Sequence, residues 1–118
     1  MDTPKIFESE YRFCEILWEH EPVTSGELVR LCREKLEWKK STTYTVIRRL
    51  TERGVLKSEH AVVTSLVSKE EVQSQESAEV VERTFSGSLP GFIAAFTRKK
   101  PLTSDEANEI QKIIDSYK

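Results

Sequence analysis

A chain of 118 residues holds one compact domain, or a small domain with an appendage. With 37% hydrophobic and 32% charged residues it reads as soluble and surface-rich, and no apolar run approaches the roughly 20 residues of a membrane helix. A net charge of −2 gives no overall pull toward nucleic acid, and Met1-Asp2-Thr3-Pro4-Lys5 lacks the apolar stretch of a signal peptide, so the expected compartment is the cytoplasm.

The first pattern runs from Glu8 to His20. Tyr11, Phe13, Cys14, Leu17 and Trp18 recur at three- and four-residue steps, which predicts an amphipathic helix ended by Pro22. Thr24-Ser25-Gly26-Glu27 has the spacing of a capping box and opens a second helix through Leu28, Val29, Leu31, Cys32 and Leu36. Both cysteines, Cys14 and Cys32, fall at core positions and are expected as reduced, buried thiols. Neither they nor His20 and His60 have metal-ligand spacing, so no metal and no cofactor are expected.

Glu37-Trp38-Lys39-Lys40 then turns into a third helix with two chemically distinct faces. Thr43, Val46, Ile47 and Leu50 form a core stripe at i, i+3, i+4, i+7. Lys39, Lys40, Ser41, Thr42, Tyr44, Thr45, Arg48 and Arg49 fall elsewhere on the cylinder. Their hydrogen-bonding and cationic groups suit base edges and phosphates, which makes these eight the candidate DNA-binding residues. Charge is focused here: residues 38 to 53 carry +4, the segment before them −4 and the segment after −2. Other roles stay open for individual residues. Ser41 is equally a helix cap, Arg53 and Lys57 are ordinary solvated charges, and Trp18 and Trp38 are packing residues.

Gly54 supplies a left-handed stop. Val55-Leu56-Lys57-Ser58 and Ala61 to Val67 follow as a short β-hairpin around Glu59-His60, a tip without asparagine or glycine. Helix, helix, turn, helix and hairpin is the order of a winged helix-turn-helix. Ser68-Lys69-Glu70-Glu71 is a second capping box, starting a mostly polar helix to about Phe85. Ser86-Gly87-Ser88 breaks it, a short helix carries Leu89, Phe92, Ile93 and Phe96, and Thr103-Ser104-Asp105-Glu106 caps a last helix with Ile110, Ile113, Ile114 and Tyr117 on one face. The expected organisation is a DNA-binding domain over 1–68 and a helical dimerisation domain over 69–118. The fold class is mainly α with a small β wing. The C-terminal faces are too apolar for so few residues to cover. Val81, Phe85, Leu89, Phe92, Ile93, Phe96, Ile110, Ile113 and Ile114 are therefore expected to meet a second copy of the chain, the alternative being that they fold back on the first domain.

These stretches together resemble the penicillinase-repressor, or BlaI/MecI/CopY, family of bacterial transcriptional repressors. The resemblance rests on Ile6 to Trp18 with Glu10, Tyr11, Ile16, Leu17 and Trp18, on Trp38 to Leu50, and on Leu66-Val67-Ser68-Lys69-Glu70-Glu71. It implies a homodimer binding palindromic double-stranded operator DNA, and a regulatory protease that cuts within the short apolar helix, where Ala95-Phe96 is the matching bond. Ala95 stands where the β-lactam repressors typically carry asparagine. The chain has no cysteine beyond Cys32, so the cysteine-x-cysteine pair of the copper branch is missing. The competing function is a winged-helix protein–protein module. An enzyme is not expected, for no Gly-rich phosphate loop or nucleophile–base pair is present.

Overall fold

The computed structural model describes residues 3–118. The order is α1 (Glu8–His20), β1 (Val23–Thr24), α2 (Ser25–Leu36), α3 (Lys40–Glu52), β2 (Leu56–Glu59), β3 (Val62–Ser65), α4 (Lys69–Phe85), α5 (Leu89–Lys99) and α6 (Ser104–Asp115). The three strands form one antiparallel sheet in the order β1-β3-β2. The mainly α winged-helix class expected from the sequence is the one observed. Strand β1 adds a third member to the expected hairpin: Val23 and Thr24 pair with Val63 and Val62.

Two compact units divide the chain, one running to Glu76 and the other Ser77–Lys118, with the seam inside α4. The part of α4 up to Glu76 belongs to the first unit, whose core Val72 joins. That core contains Phe13, Leu17, Leu28, Leu50, Val55, Leu56 and Val63, all fully buried. From α3 it takes Thr43, Val46, Ile47 and Leu50. Removing Val46, Ile47 and Leu50 from water contributes about 1.5–3 kcal/mol each, so this stripe decides which way α3 faces.

Polar ties lock the layers together. Trp18 donates its indole N–H to the Val67 carbonyl at 3.0 Å, and the Glu21 carboxylate accepts from both the backbone N–H and hydroxyl of Ser65 at 2.8–2.9 Å. Trp38 stacks on Phe13 at 6.2 Å, and Tyr11 meets Trp18 edge-on at 5.6 Å. Both tryptophans are thus packing residues, as one of their expected roles had it.

The end of α3 is a Schellman motif. Gly54 takes φ 78°, its N–H reaches the Thr51 carbonyl at 3.1 Å, and the Val55 N–H reaches back to Leu50 at 2.9 Å. Leu50 and Val55 are both buried, completing the motif's apolar contact. The hairpin turn has positive φ at both central residues, His60 at 53° and Ala61 at 63°, as a type I′ turn requires. Neither residue favours that region. Ser25 N–H donates to the Ala61 carbonyl at 2.9 Å, which ties the turn to the start of α2 and holds it there.

The capping boxes differ from expectation in one place. Ser68/Glu71 and Thr103/Glu106 form both reciprocal bonds. The Thr103 backbone N–H, donating to the Glu106 carboxylate, is the main cause that holds this carboxyl below its usual range, and the Thr103 side chain adds to it. At α2 the Thr24 hydroxyl accepts from the Glu27 N–H at 3.1 Å, but the Glu27 carboxylate turns to Arg30 instead of back to the cap. That hydrogen bond lowers the Glu27 pKa. A guanidinium one turn away outcompetes a single backbone N–H.

Cys14 and Cys32 are buried free thiols. Burial pushes the Cys14 pKa up to about 12, with the Glu10 charge adding to it, and also raises Cys32. The thiolate, not the thiol, reacts, so both should resist iodoacetamide at mildly alkaline pH until the protein unfolds. Alkylation as fast as that of a free thiol would contradict this packing. Because Cys14 ionises at lower pH when unfolded, stability should fall as pH rises from 9 toward about 12. The two turns give opposite mutational signs in urea denaturation. Gly54→Ala should cost about 1 kcal/mol at an open left-handed position, and Ala61→Gly should add up to about 1 kcal/mol.

Candidate nucleic-acid interface

The candidate interface lies on α3. Its N-cap is Lys39, without a side-chain cap bond, and Lys40 is the first helical residue. Ser41 is therefore not the cap; it lies exposed in the first turn beside Thr42. Four residues face inward and the rest are left at the surface. Lys39, Lys40, Ser41, Thr42, Tyr44, Arg48 and Arg49 are exposed and Thr45 is half-buried. All eight candidate residues thus fall on one helix with its N-cap, and the buried stripe accounts for the other side. Thr43 belongs to that stripe. Its hydroxyl is fully buried, lacks a hydrogen bond of ordinary geometry and faces the Cys32 thiol.

The cations of this face differ from most of those elsewhere on the first unit. Arg12 pairs with Glu8 at 3.9 Å, Lys35 with Glu19 at 3.9 Å, and Arg30 with both Glu27 and Glu34. Among the described residues, Lys39, Lys40, Arg48 and Arg49 form no ion pair with any carboxylate. Lys40 Nζ instead lies 6.0 Å from the centre of the Tyr44 ring, at the outer limit of a cation–π contact. Cations with no internal partner keep their full attraction for an external anion. The free N–H groups at the start of α3 add a positive helix end to the same turn. Ser41, Thr42, Tyr44 and Thr45 bring hydroxyls and methyl groups, which can donate, accept and pack against base edges.

The hairpin contributes little positive charge. Lys57 lies 3.8 Å from Glu59; the tip expected at Glu59-His60 falls one residue on, at His60-Ala61, because Glu59 pairs with Val62 as the last residue of β2, and all three are exposed. Arg53 departs from the solvated role expected of it. It is half-buried and pairs with the buried Glu10. No local pattern links residues so distant in sequence. The nearest signal was Glu10, the third residue of α1, whose carboxylate accepts the N–H of the N-cap residue Phe7.

In the second unit α5 and α6 bury no residue. Val81, Phe85, Phe92 and Ile110 are half-buried, while Leu89, Ile93, Phe96, Ile113 and Ile114 are exposed, Ile113 by 60% and Leu89 by 57%. Phe85 and Phe92 meet edge-on at 5.5 Å, and Phe92 and Phe96 lie 6.3 Å apart. Ala95 and Phe96 sit inside α5, so the peptide bond between them is helical. Among the described residues no group of side chains could hold a metal ion, and no helix is long and apolar enough to cross a membrane.

Comparison with known proteins agrees with this architecture. A family model described as penicillinase repressor matches residues 6–116. The chain is 22% identical to the penicillinase repressor of Bacillus licheniformis over 98% of its own length and 93% of that protein's. It is also 22% identical to the methicillin resistance regulatory protein MecI of Staphylococcus aureus, over 96% of this chain and 95% of that one. The solution structure of the DNA-binding domain of the repressor BlaI matches with a TM-score of 0.51 at 22% identity, covering 60% of this chain and 93% of that domain. That last likeness is one of fold.

Proposed function

The chain belongs to the penicillinase repressor family of transcriptional repressors, and from that premise we propose that it represses as a homodimer whose two α3 helices read the halves of a palindromic operator. The observation that carries this reading is the set of four exposed cations on α3 without an internal counter-charge, beside a row of hydroxyl-bearing side chains. Lys39, Lys40, Arg48 and Arg49 supply affinity by neutralising phosphates and releasing counterions. Ser41, Thr42, Tyr44 and Thr45 supply discrimination at base edges in the major groove. A single small module binds weakly. Two modules tied together address two half-sites, and the second binding event becomes intramolecular.

The tie is the second unit. Val81, Phe85, Leu89, Phe92, Ile93, Phe96, Ile110, Ile113 and Ile114 pack against the same residues of a second copy, which covers apolar surface that one chain leaves in water. Regulation would come through a protease acting on Ala95-Phe96. Proteases need an extended substrate, so α5 must unwind locally before that bond is cut. A dimer that buries Phe96 therefore protects its own switch.

Fluorescence anisotropy with a labelled duplex from upstream of the gene tests the reading. Tight binding to this duplex, weak binding to a random one, and a steep loss of affinity with salt are expected. Equal, weak binding to both would favour a protein-docking winged helix. Arg49→Ala should weaken binding to both duplexes and reduce the log–log salt slope by about 1 per lost contact. Tyr44→Ala should cost about 1–3 kcal/mol on the upstream duplex and little on the random one. Sedimentation equilibrium should give a dimer at micromolar concentration, and Ile113→Glu should make it a monomer. A wild-type monomer would remove the paired-helix mechanism.

A further inference from the structure

Arg53 is the C-cap of α3, and its side chain leaves the helix to clasp the start of α1. Its Nη2 ion-pairs with a Glu10 carboxylate oxygen, and its Nη1 donates to the Lys5 carbonyl at 2.9 Å. The guanidinium carbon lies 5.3 Å from the centre of the Phe7 ring. The other Glu10 oxygen accepts the Phe7 N–H at 2.9 Å. Glu10 is only 6% exposed and Arg53 is half-buried, so the pair is shielded from water. We propose that this clasp is a positioning element for DNA reading: Arg53 and Glu10 set where the outer face of α3 stands relative to the rest of the domain.

The argument rests on the DNA-reading role of α3 and on a difference in directionality. Thr43, Val46, Ile47 and Leu50 decide which side of α3 is buried, but apolar contact is non-directional and tolerates small slides and rotations. A charge-assisted pair flanked by two further hydrogen bonds tolerates much less. The clasp also sits one turn from the candidate phosphate contacts. The Arg53 N–H donates to the Arg49 carbonyl at 3.1 Å, so a shift at the C-cap passes directly to the turn that carries Arg48 and Arg49. Recognition geometry degrades when its support loosens by a fraction of an ångström. All of this needs Arg53 to be spent inside the domain, so it is not itself a phosphate contact. Removing one member of a shielded pair leaves the other uncompensated, which favours local rearrangement over a simple loss of charge.

The test compares full-length wild type, Arg53→Ala, Arg53→Lys and Glu10→Gln at a temperature where circular dichroism shows each folded. Labelled upstream and random duplexes are titrated across a range of salt. Arg53→Ala should bind the upstream duplex about tenfold more weakly, bind the random duplex within about twofold of wild type, and keep the wild-type salt slope. Arg53→Lys should recover part of the loss. Glu10→Gln, which keeps the bond to Phe7, should show a smaller loss of the same kind. If Arg53→Ala does not fold, Glu10→Gln is read by the same criteria. Wild-type affinity in the folded variants would overturn the positioning role and leave the clasp as a stabilising contact only. A salt slope lowered by about 1 in Arg53→Ala would overturn it by making Arg53 a phosphate contact. A wild type that binds neither duplex would overturn the DNA-reading role beneath it, a failure distinguishable from the other two.

Discussion

The burial of one stripe, Thr43, Val46, Ile47 and Leu50, is the constraint from which the rest of the first unit follows. A thirteen-residue helix with this spacing can hide only one side. Once those four are inside, Lys40, Ser41, Thr42, Tyr44, Arg48 and Arg49 have nowhere to go but the surface. The neighbouring elements reinforce the choice. Leu50 is held in the apolar contact of the Schellman motif with Val55, and the strand that follows leads directly into the hairpin. Negative charge elsewhere on the first unit then has a use: residues 1–37 carry −4 and residues 38–53 carry +4, so within that unit an anionic duplex would be drawn to α3 in preference to the rest.

Much of this was legible in the sequence because it is local. Amphipathic spacing located every helix, and Ser68/Glu71 and Thr103/Glu106 marked two helix starts whose reciprocal bonds are both formed. Gly54 marked the end of α3 because only a residue comfortable at φ 78° ends a helix that way without strain. What escaped was non-local or contested. Strand β1 is two residues long and exists only because β3 offers it an edge. The turn at His60-Ala61 has no residue that favours positive φ, and the Ser25 N–H that holds it comes from a distant helix start. Glu27 had two suitors within one turn, the cap and Arg30, and spacing alone cannot rank them. Arg53 and Glu10 lie on different elements, so nothing in either neighbourhood announces their pairing.

The two units divide labour along a physical line. The first has a closed core and spends its polar groups on internal ties and one outward face. The second buries nothing in α5 and α6, and Leu89, Phe96, Ile113 and Tyr117 are each at least half exposed, an apolar surface of the kind that marks an interaction site. A segment of that kind is cheap to unfold locally and gains most from a partner, the two properties that the proposed coupling of assembly to regulation requires. In the first unit, by contrast, rigidity is the useful property, since the proposed base readout depends on side chains already standing in place.

Amide chemical shifts of the isotope-labelled protein, followed as a short duplex from upstream of its gene is added, test the central claim most directly. The account predicts the largest changes at residues 39–42, 44, 45, 48 and 49, with the amides of the buried stripe moving less and the hairpin turn at His60 and Ala61 contributing little. Changes centred on another surface, or a spectrum that DNA leaves unaltered, would contradict it.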